Sequence, residues 1–362
     1  MNAVFRVDFS DQIGLGHLMR CITLADALHD RGYKCHFISR VVSNPDLVTR
    51  TKHNFIQLTA NKGKLEFQGS DYSSWLGVAW QQDAEETVAI IEKLAPDWLI
   101  IDHYAIDYQW ENILKNYCAK ILVIDDLANR QHACDMLIDS NFGRVPTDYS
   151  NLVPEFTHIF TGSEYVMLKP EFTLLREKAR KRRDDNPEIN NILVFLGGGD
   201  PENTTERALS ALLKLTWDTE PRVIVVLGAA NPNSDLIRAY LDAYPLSSEL
   251  HIDTGNMAEL TYGADLAIGA SGGATWERCC LGLPTLSVVI AENQQFASEN
   301  LGKAGLVENI NMNSSLETEI ATRLQKLLDT PERVKSMSKK CFELVDGKGI
   351  DRIVQNMKQL EH

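Results

Sequence analysis

The sequence predicts an α/β fold with mostly parallel sheets, and three of its features predict it. Short apolar runs rich in β-branched residues alternate with amphipathic segments, which is the pattern of strand–helix–strand units. Several runs end in aspartate, at the point where open α/β sheets place their ligand chemistry. The alternation runs through the first half and starts again after Glu188, so two such sheets are expected.

In the first series the runs are Val4–Asp8, Cys35–Ser39, Trp98–Asp102, Leu122–Asp126, Met136–Asp139 and His158–Thr161. The first helix follows Gly16, carries Leu18, Cys21, Ile22, Ala25 and Leu28 on one face, and stops at Gly32. The second series comprises Ile192–Leu196, Val223–Leu227, Leu250–Ile252, Leu266–Ile268 and Thr285–Ile290. Ile350–Leu360 reads as an amphipathic helix that packs back on the first domain. The expected division is residues 1–165 for the first domain, 166–188 for a connection, 189–345 for the second domain and 346–362 for the terminal helix.

At 362 residues and 44% apolar content the chain can bury two sizeable cores. It has no run of about twenty apolar residues and no basic, then apolar, leader, so a cytoplasmic protein without a membrane span is expected. The seven cysteines, at 21, 35, 118, 134, 279, 280 and 341, are odd in number and form no CxxC pair. They read as reduced thiols rather than disulfides or a zinc site. A net charge of −14 argues against nucleic acid as a partner. The basic cluster Lys178–Arg183 reads as a solvated helix face, partly cancelled by Asp184 and Asp185. A local site can still hold an anionic nucleotide.

Gly14-Leu-Gly16-His17 stands between a strand and a helix. Glycines permit close backbone approach, and a helix start offers free N–H groups to a diphosphate. His17 beside them is a candidate proton acceptor or, alternatively, a capping or core residue. The turn is not GxGxxG, and no acid sits at the end of the second strand to grip a ribose, which disfavours a nicotinamide cofactor. In the second series, Gly269-Ala-Ser271-Gly272-Gly273-Ala-Thr275-Trp-Glu277 joins a strand to a helix. Its small residues suit a diphosphate, and Glu277 suits a pair of ribose hydroxyls; a tight turn with an acid in the first helical turn is the other reading. Gly197-Gly-Gly199 opens a helix with Asp200 as N-cap and Pro201 at its first position. Gly228 ends the next strand. Asn293 and Gln294 follow a strand end, where amides read sugar hydroxyl or acetamido groups. Asp8, Asp102-His103-Tyr104 and Asp125-Asp126 occupy strand ends of the first domain. The paired aspartates suit a divalent ion or a turn cap; no further carboxylates cluster nearby, and a metal-free site is expected. Trp75, Trp80 and Trp110 either stack on a sugar or pack internally, and Trp98 is core.

Together these residues resemble a known family. Phe5-Arg-Val-Asp8, Gln12-Ile-Gly-Leu-Gly-His17-Leu-Met-Arg-Cys21, Leu24-Ala-Asp-Ala-Leu28, Trp75-Leu-Gly77 and Gln82-Asp-Ala84 carry the first part of the likeness. Asp102-His-Tyr104, Asp125-Asp-Leu127, Lys169-Pro-Glu-Phe172, Gly197-Gly-Gly-Asp200, Ser271-Gly-Gly273 and Glu292-Asn-Gln294 continue it over nearly the whole chain. The resemblance is to the UDP-2,4-diacetamido-2,4,6-trideoxy-beta-L-altropyranose hydrolases of pseudaminic acid biosynthesis. It implies a glycosyltransferase-B fold of two Rossmann-like domains facing across a cleft, with UDP on the C-terminal domain. It also implies that His17 is the catalytic histidine, that Tyr104, Asn293 and Gln294 lie near the sugar, that Glu277 holds the ribose, and that Met257 meets uracil. Gly14, Gly16, Gly228, Ser271, Gly272, Gly273 and Thr275 complete the implied UDP set. The implied reaction is metal-independent release of UDP from the diacetamido sugar by water attack at the anomeric carbon, without a cofactor. A transferase using a UDP-linked amino sugar, a hydrolysing UDP-amino-sugar 2-epimerase and a non-catalytic nucleotide-sugar sensor are the competing readings. Oligomeric state is left open, a monomer included.

Overall fold

A computed structural model of the chain describes residues 1–10, 13–42, 46–59, 72–185, 188–229, 231–310 and 315–361. Gln12 of the N-terminal motif lies outside the described residues, as does the Asn186-Pro187 pair before the second series. The chain divides into two compact units, residues 1–167 with 348–362, and residues 168–347. The segment expected as a connection contributes a helix, Pro170–Asp185, to the second unit, and the terminal helix Gly349–Leu360 belongs to the first.

The first unit is built on seven strands: β1 (Asn2–Val7), β2 (Lys34–Ser39), β3 (Asn54–Gln57), β4 (Trp98–Asp102), β5 (Lys120–Ile124), β6 (Met136–Asp139) and β7 (His158–Thr161). Their order is β3-β2-β1-β4-β5-β6-β7, and all the pairings are parallel. The central strands are apolar on both faces because helices cover both. Phe5 and Val7 point to a layer with Leu18, Leu24 and Leu28. Val4 points to the opposite layer, with Leu99, Ile91 and Trp110. The terminal helix buries Ile353, Val354 and Met357 in the first of these layers, at about 1.5–3 kcal/mol for each side chain removed from water.

The second unit contains β8 (Asn191–Phe195), β9 (Arg222–Leu227), β10 (Ser248–Ile252), β11 (Leu266–Ala270), β12 (Thr285–Val288) and β13 (Glu308–Ile310). Their order is β10-β9-β8-β11-β12-β13, again parallel throughout. Every apolar run named from the sequence forms a strand. The edge strands β3 and β13 do not stand out in the apolar pattern, because they are short and carry polar residues, as edges commonly do. The run expected over Thr285–Ile290 ends at Val288, where the chain leaves the sheet toward a short 3-10 turn at Glu292–Gln294.

In each sheet the strand order reverses direction once, between β1 and β4 in the first unit and between β8 and β11 in the second. At such a reversal the following connections leave toward opposite faces, opening a crevice at the carboxyl ends of the strands. The Gly14–His17 turn follows β1, and Asp102-His103-Tyr104 ends or follows β4. Gly197–Gly199 follows β8, and Ser271–Gly273 follows β11. Topology therefore carries these motifs to the two switch points. Among the described residues, no helix is long and apolar enough to cross a membrane.

Candidate active site

His17 is the second residue of the helix Gly16–His29 and is 7% exposed. Gly14 adopts φ +83° in the preceding turn and donates its N–H to the Ser10 carbonyl at 2.7 Å, a conformation that glycine enters without steric cost. Among the described residues no side chain caps the start of this helix, and Gly16 is exposed there.

Asp102, the last residue of β4, is buried and lies 2.6 Å from Nδ1 of His17 through its Oδ1. Arg20 grips the same carboxylate, Nε to Oδ2 at 2.6 Å and Nη2 to Oδ1 at 2.7 Å. Burial by itself would raise the Asp102 pKa, but Arg20 and then His17 outweigh it and hold the carboxyl well below its ordinary value. An ionised carboxylate only accepts hydrogen bonds, so the proton of a neutral His17 ring sits on Nδ1. The lone pair is then on Nε2, the arrangement of a general base with an orienting carboxylate.

Aromatic rings wall the imidazole. The Tyr104 ring lies edge-on to His17 at 4.6 Å between centroids, and Trp75 lies edge-on at 6.2 Å. Trp75 stacks on Tyr104 at 5.4 Å, and Tyr72 meets Tyr104 at 5.0 Å. The Tyr104 hydroxyl donates to Asp126 at 2.6 Å. Of the tryptophans considered as sugar platforms, only Trp75 stands in this cluster; Trp98 and Trp110 are fully buried, and Trp80 packs against the core.

The other strand-end groups of the first unit support the scaffold. Asp8 binds Arg6 at 2.6 Å, the backbone N–H of Arg40 at 2.7 Å and Nε2 of His103 at 3.2 Å. His103 accepts the Ala105 N–H at Nδ1, so its proton is on Nε2, and burial lowers its pKa. It is a neutral structural histidine. Asp125 accepts from Arg130 at 2.6 Å, from Tyr149 at 2.9 Å and from the Ala128 N–H at 2.8 Å, closing the turn after β5. Asp126 is bound to Arg20 through Nη1 at 3.0 Å and Nη2 at 2.7 Å. The paired aspartates thus face different cations, Arg130 and Arg20, rather than one shared point.

In the second unit Gly228 follows β9 against the backbone of Gly198; a Cβ there would stand 2.4 Å from the Gly198 carbonyl oxygen. Gly197 adopts φ +93°. Asp200 accepts the N–H groups of Thr204 and Thr205 at 2.8 and 2.9 Å. It caps a helix that starts at Thr204, not at Pro201 as the sequence suggests, because Asp200 and Asn203 take left-handed backbone and delay the first turn. Met257 opens the helix Met257–Gly263 and packs against the buried cluster that includes Leu193, Ile224, Val226 and Ala267.

Of the candidate residues after β11, Ser271 and Thr275 turn inward. The Ser271 hydroxyl meets Ser287 at 2.7 Å and its N–H binds the Val288 carbonyl; the Thr275 hydroxyl donates to the Ala270 carbonyl. Gly272 and Gly273 supply the more open backbone. The Gln294 amide lies over this turn, its nitrogen 3.3 Å from where a Gly272 Cβ would be, and Asn293 is beside it in the same 3-10 turn. The Glu277 side chain is half-buried, and its carboxylate makes no hydrogen bond or ion pair with the described residues. Burial pushes its pKa up to about 7, with Arg278 and Lys169 pulling the other way.

Sequence reasoning did not assign three residues here. Asp102 pairs with His17 across 85 positions; its signal was the aspartate ending a strand. Arg20 stands three residues after His17 on one helix face, a spacing that brings side chains together. Arg278 is buried against Gly269, donates to the Ala270 carbonyl at 2.6 Å and is pushed down to about 10 by burial. It places a cation within the Gly-rich turn, and no pattern in the sequence distinguishes it from a surface arginine.

No family model matches the sequence. Among characterised chains, it is 28% identical over 205 residues to the spore coat polysaccharide biosynthesis protein SpsG of Bacillus subtilis, covering 56% of this chain and 59% of that one. It is 24% identical over 306 residues to the UDP-2,4-diacetamido-2,4,6-trideoxy-beta-L-altropyranose hydrolase of Campylobacter jejuni, covering 84% of this chain and 97% of the relative. The chain thus spans somewhat over half of the first relative's length and nearly all of the second's. The crystal structure of Acinetobacter baumannii MurG matches with a TM-score of 0.69 at 14% identity, covering 99% of this chain and 100% of that one. The UDP-GlcNAc 2-epimerase of Neisseria meningitidis, bound to UDP-GlcNAc, matches at 0.62 and 12% identity, covering 99% and 100%. The fold class is glycosyltransferase-B, as the resemblance implied, and the likeness to the altropyranose hydrolase is borne out.

Proposed function

We propose that this chain is an enzyme acting on a UDP-linked sugar, and specifically that it hydrolyses UDP-2,4-diacetamido-2,4,6-trideoxy-beta-L-altropyranose. The observation that carries the chemistry is the His17–Asp102 pair at a switch point, with Nε2 as the base and aromatic rings beside it. The similarity to the Campylobacter hydrolase over 97% of that protein supports the substrate.

In the proposed reaction His17 Nε2 takes a proton from water as the water oxygen bonds to the anomeric carbon. The bond from that carbon to the diphosphate oxygen breaks, and UDP departs with the electron pair. The centre inverts through an oxocarbenium-like state. Asp102 stabilises the imidazolium formed, as a buried carboxylate does for a histidine base; general-base help of this kind is worth about 10²–10⁴-fold. In the second unit, backbone N–H groups of Gly272 and Gly273 would receive the developing phosphate charge, Glu277 would accept the ribose hydroxyls, Met257 would pack near uracil, and Asn293 and Gln294 would offer amides to a sugar. In the first unit, Tyr104 would stand beside the sugar-side base His17. Asp125 and Asp126 take no metal role in this reading.

The test is UDP release from the diacetamido sugar in H₂¹⁸O. The label is expected on the sugar, with none on UDP, and NMR is expected to show unchanged configuration at C2. His17→Ala and His17→Asn should lose about 10²-fold or more in turnover. Label on UDP, or near-wild-type turnover in either variant, defeats the reading. Inversion at C2 would instead assign a hydrolysing epimerase, and turnover only with an added acceptor would assign a transferase.

A further inference from the structure

We propose that Arg20 is a positioning residue for His17: a double clamp that ties Asp102 to Asp126, fixes which ring nitrogen of His17 carries the proton, and joins the imidazole to Tyr104. The kinetic part of this inference rests on the proposed role of His17; the structural part does not.

A guanidinium has five N–H groups in a rigid fork. Arg20 uses Nε–H and one Nη2–H on Asp102, and the second Nη2–H and one Nη1–H on Asp126. Nη2 then has no hydrogen left for His17 Nδ1, although it lies 3.3 Å away. Nδ1 cannot accept from Arg20 and must satisfy itself as a donor to Asp102.

Asp102 is filled by the same arrangement. Its Oδ1 receives Nδ1–H of His17 and Nη2–H of Arg20, and its Oδ2 receives Nε–H of Arg20 and the Cys21 thiol at 3.5 Å. A carboxylate has about four lone-pair sites, so Asp102 has none for a proton from His17. It orients the ring and does not compete with it as a base. Asp126 carries the clamp onward, accepting from Arg20 on both oxygens and from the Tyr104 hydroxyl on Oδ2. Tyr104 in turn presses its ring edge-on to His17. The loop closes: His17, Asp102, Arg20, Asp126, Tyr104, His17.

Among the described residues, the charged and titratable groups facing His17 are Asp102 from β4, Arg20 and Cys21 from its own helix, Asp126 after β5 and Tyr104 after β4; Trp75 adds an uncharged wall. Arg20 is the fixed cation in this set. Without it, Asp102 and Asp126 would face the imidazole uncompensated and favour its protonated form.

The test compares wild type, Arg20→Lys and Arg20→Gln by ¹⁵N NMR of histidine-labelled, ligand-free protein from pH 5 to 9. His17→Asn serves to assign the signal. Wild type should show the Nδ1–H form when neutral. Arg20→Gln should move His17 protonation to higher pH by about one unit or more, with Arg20→Lys, which keeps charge but cannot grip two carboxylates, in between. In hydrolysis assays the acid limb of kcat/KM should move equally, so the loss should be largest on that limb, up to about tenfold for each unit moved, and should shrink at pH 9. An unchanged titration in Arg20→Gln, a wild-type ring that is not in the Nδ1–H form when neutral, or an activity loss uniform across pH, overturns the proposal. If Arg20→Gln does not fold, Arg20→Gln with Asp126→Asn removes one orphaned carboxylate, and Arg20→Lys alone still decides the tautomer. Near-wild-type turnover of His17→Asn would refute the proposed function, while the NMR result would still judge the clamp.

Discussion

Glu277→Gln separates binding from folding in one substitution. The Glu277 carboxyl is raised from 4.5 to about 7 by burial, so the folded second unit favours its neutral form. Between pH 4.5 and 7 the folded state holds a proton that the unfolded chain has released, so this group's contribution to stability falls as pH rises. Integrated from pH 5 to pH 8, the loss is about 2–3 kcal/mol if the full shift acts, and about 1–2 kcal/mol once partial exposure of the side chain is allowed for. Gln does not titrate, so the variant should escape the loss. The measurement is urea unfolding of ligand-free wild type and variant at pH 5 and pH 8. The variant's stability relative to wild type should improve by about 1–2 kcal/mol on going to pH 8, whatever the pH-independent cost of an amide at this site. UDP titration by calorimetry should move the other way: the variant should bind at least tenfold more weakly at pH 8, because the ionised carboxylate offers two acceptors and the amide one. Wild-type affinity should itself fall below pH 7. Parallel stability profiles for the two proteins would refute the burial argument, and equal UDP affinity would refute the ribose role.

Gly228→Ala should destabilise the second unit by about 1–3 kcal/mol, since its Cβ would meet the Gly198 backbone at 2.4 Å; a melting temperature equal to wild type would refute this. Trp75→Ala should lower kcat/KM by about two- to tenfold through loss of the ring stacked on Tyr104 and set against His17, whereas Trp75→Phe should retain most activity. If the alanine variant matches wild type in steady-state kinetics, the aromatic wall is not part of the site. Exhaustive treatment with EDTA should leave turnover unchanged, because both oxygens of Asp102 and of Asp126 are already engaged by Arg20; activity lost to the chelator and restored by magnesium or manganese would count against it.

The sequence by itself determined the two strand–helix series, the Gly-rich turns that follow particular strands, and the placing of His17 at the start of a helix. These are local properties: apolar periodicity, glycine at turns and aspartate at strand ends act over a few residues, and each is readable in order along the chain. The Gln-Ile-Gly-Leu-Gly-His block and its companions also carried the family likeness. Tertiary structure decided what these residues face. Strand order made β1 and β4 neighbours, and so set Asp102 against His17 across 85 positions. It separated Asp125 and Asp126, adjacent in sequence, onto Arg130 and Arg20. It turned the Ser271 and Thr275 hydroxyls into the interior and left the Gly272–Gly273 backbone more open. The physical reason is that charge pairing and burial depend on spatial neighbours, which parallel β-sheets draw from distant parts of the chain.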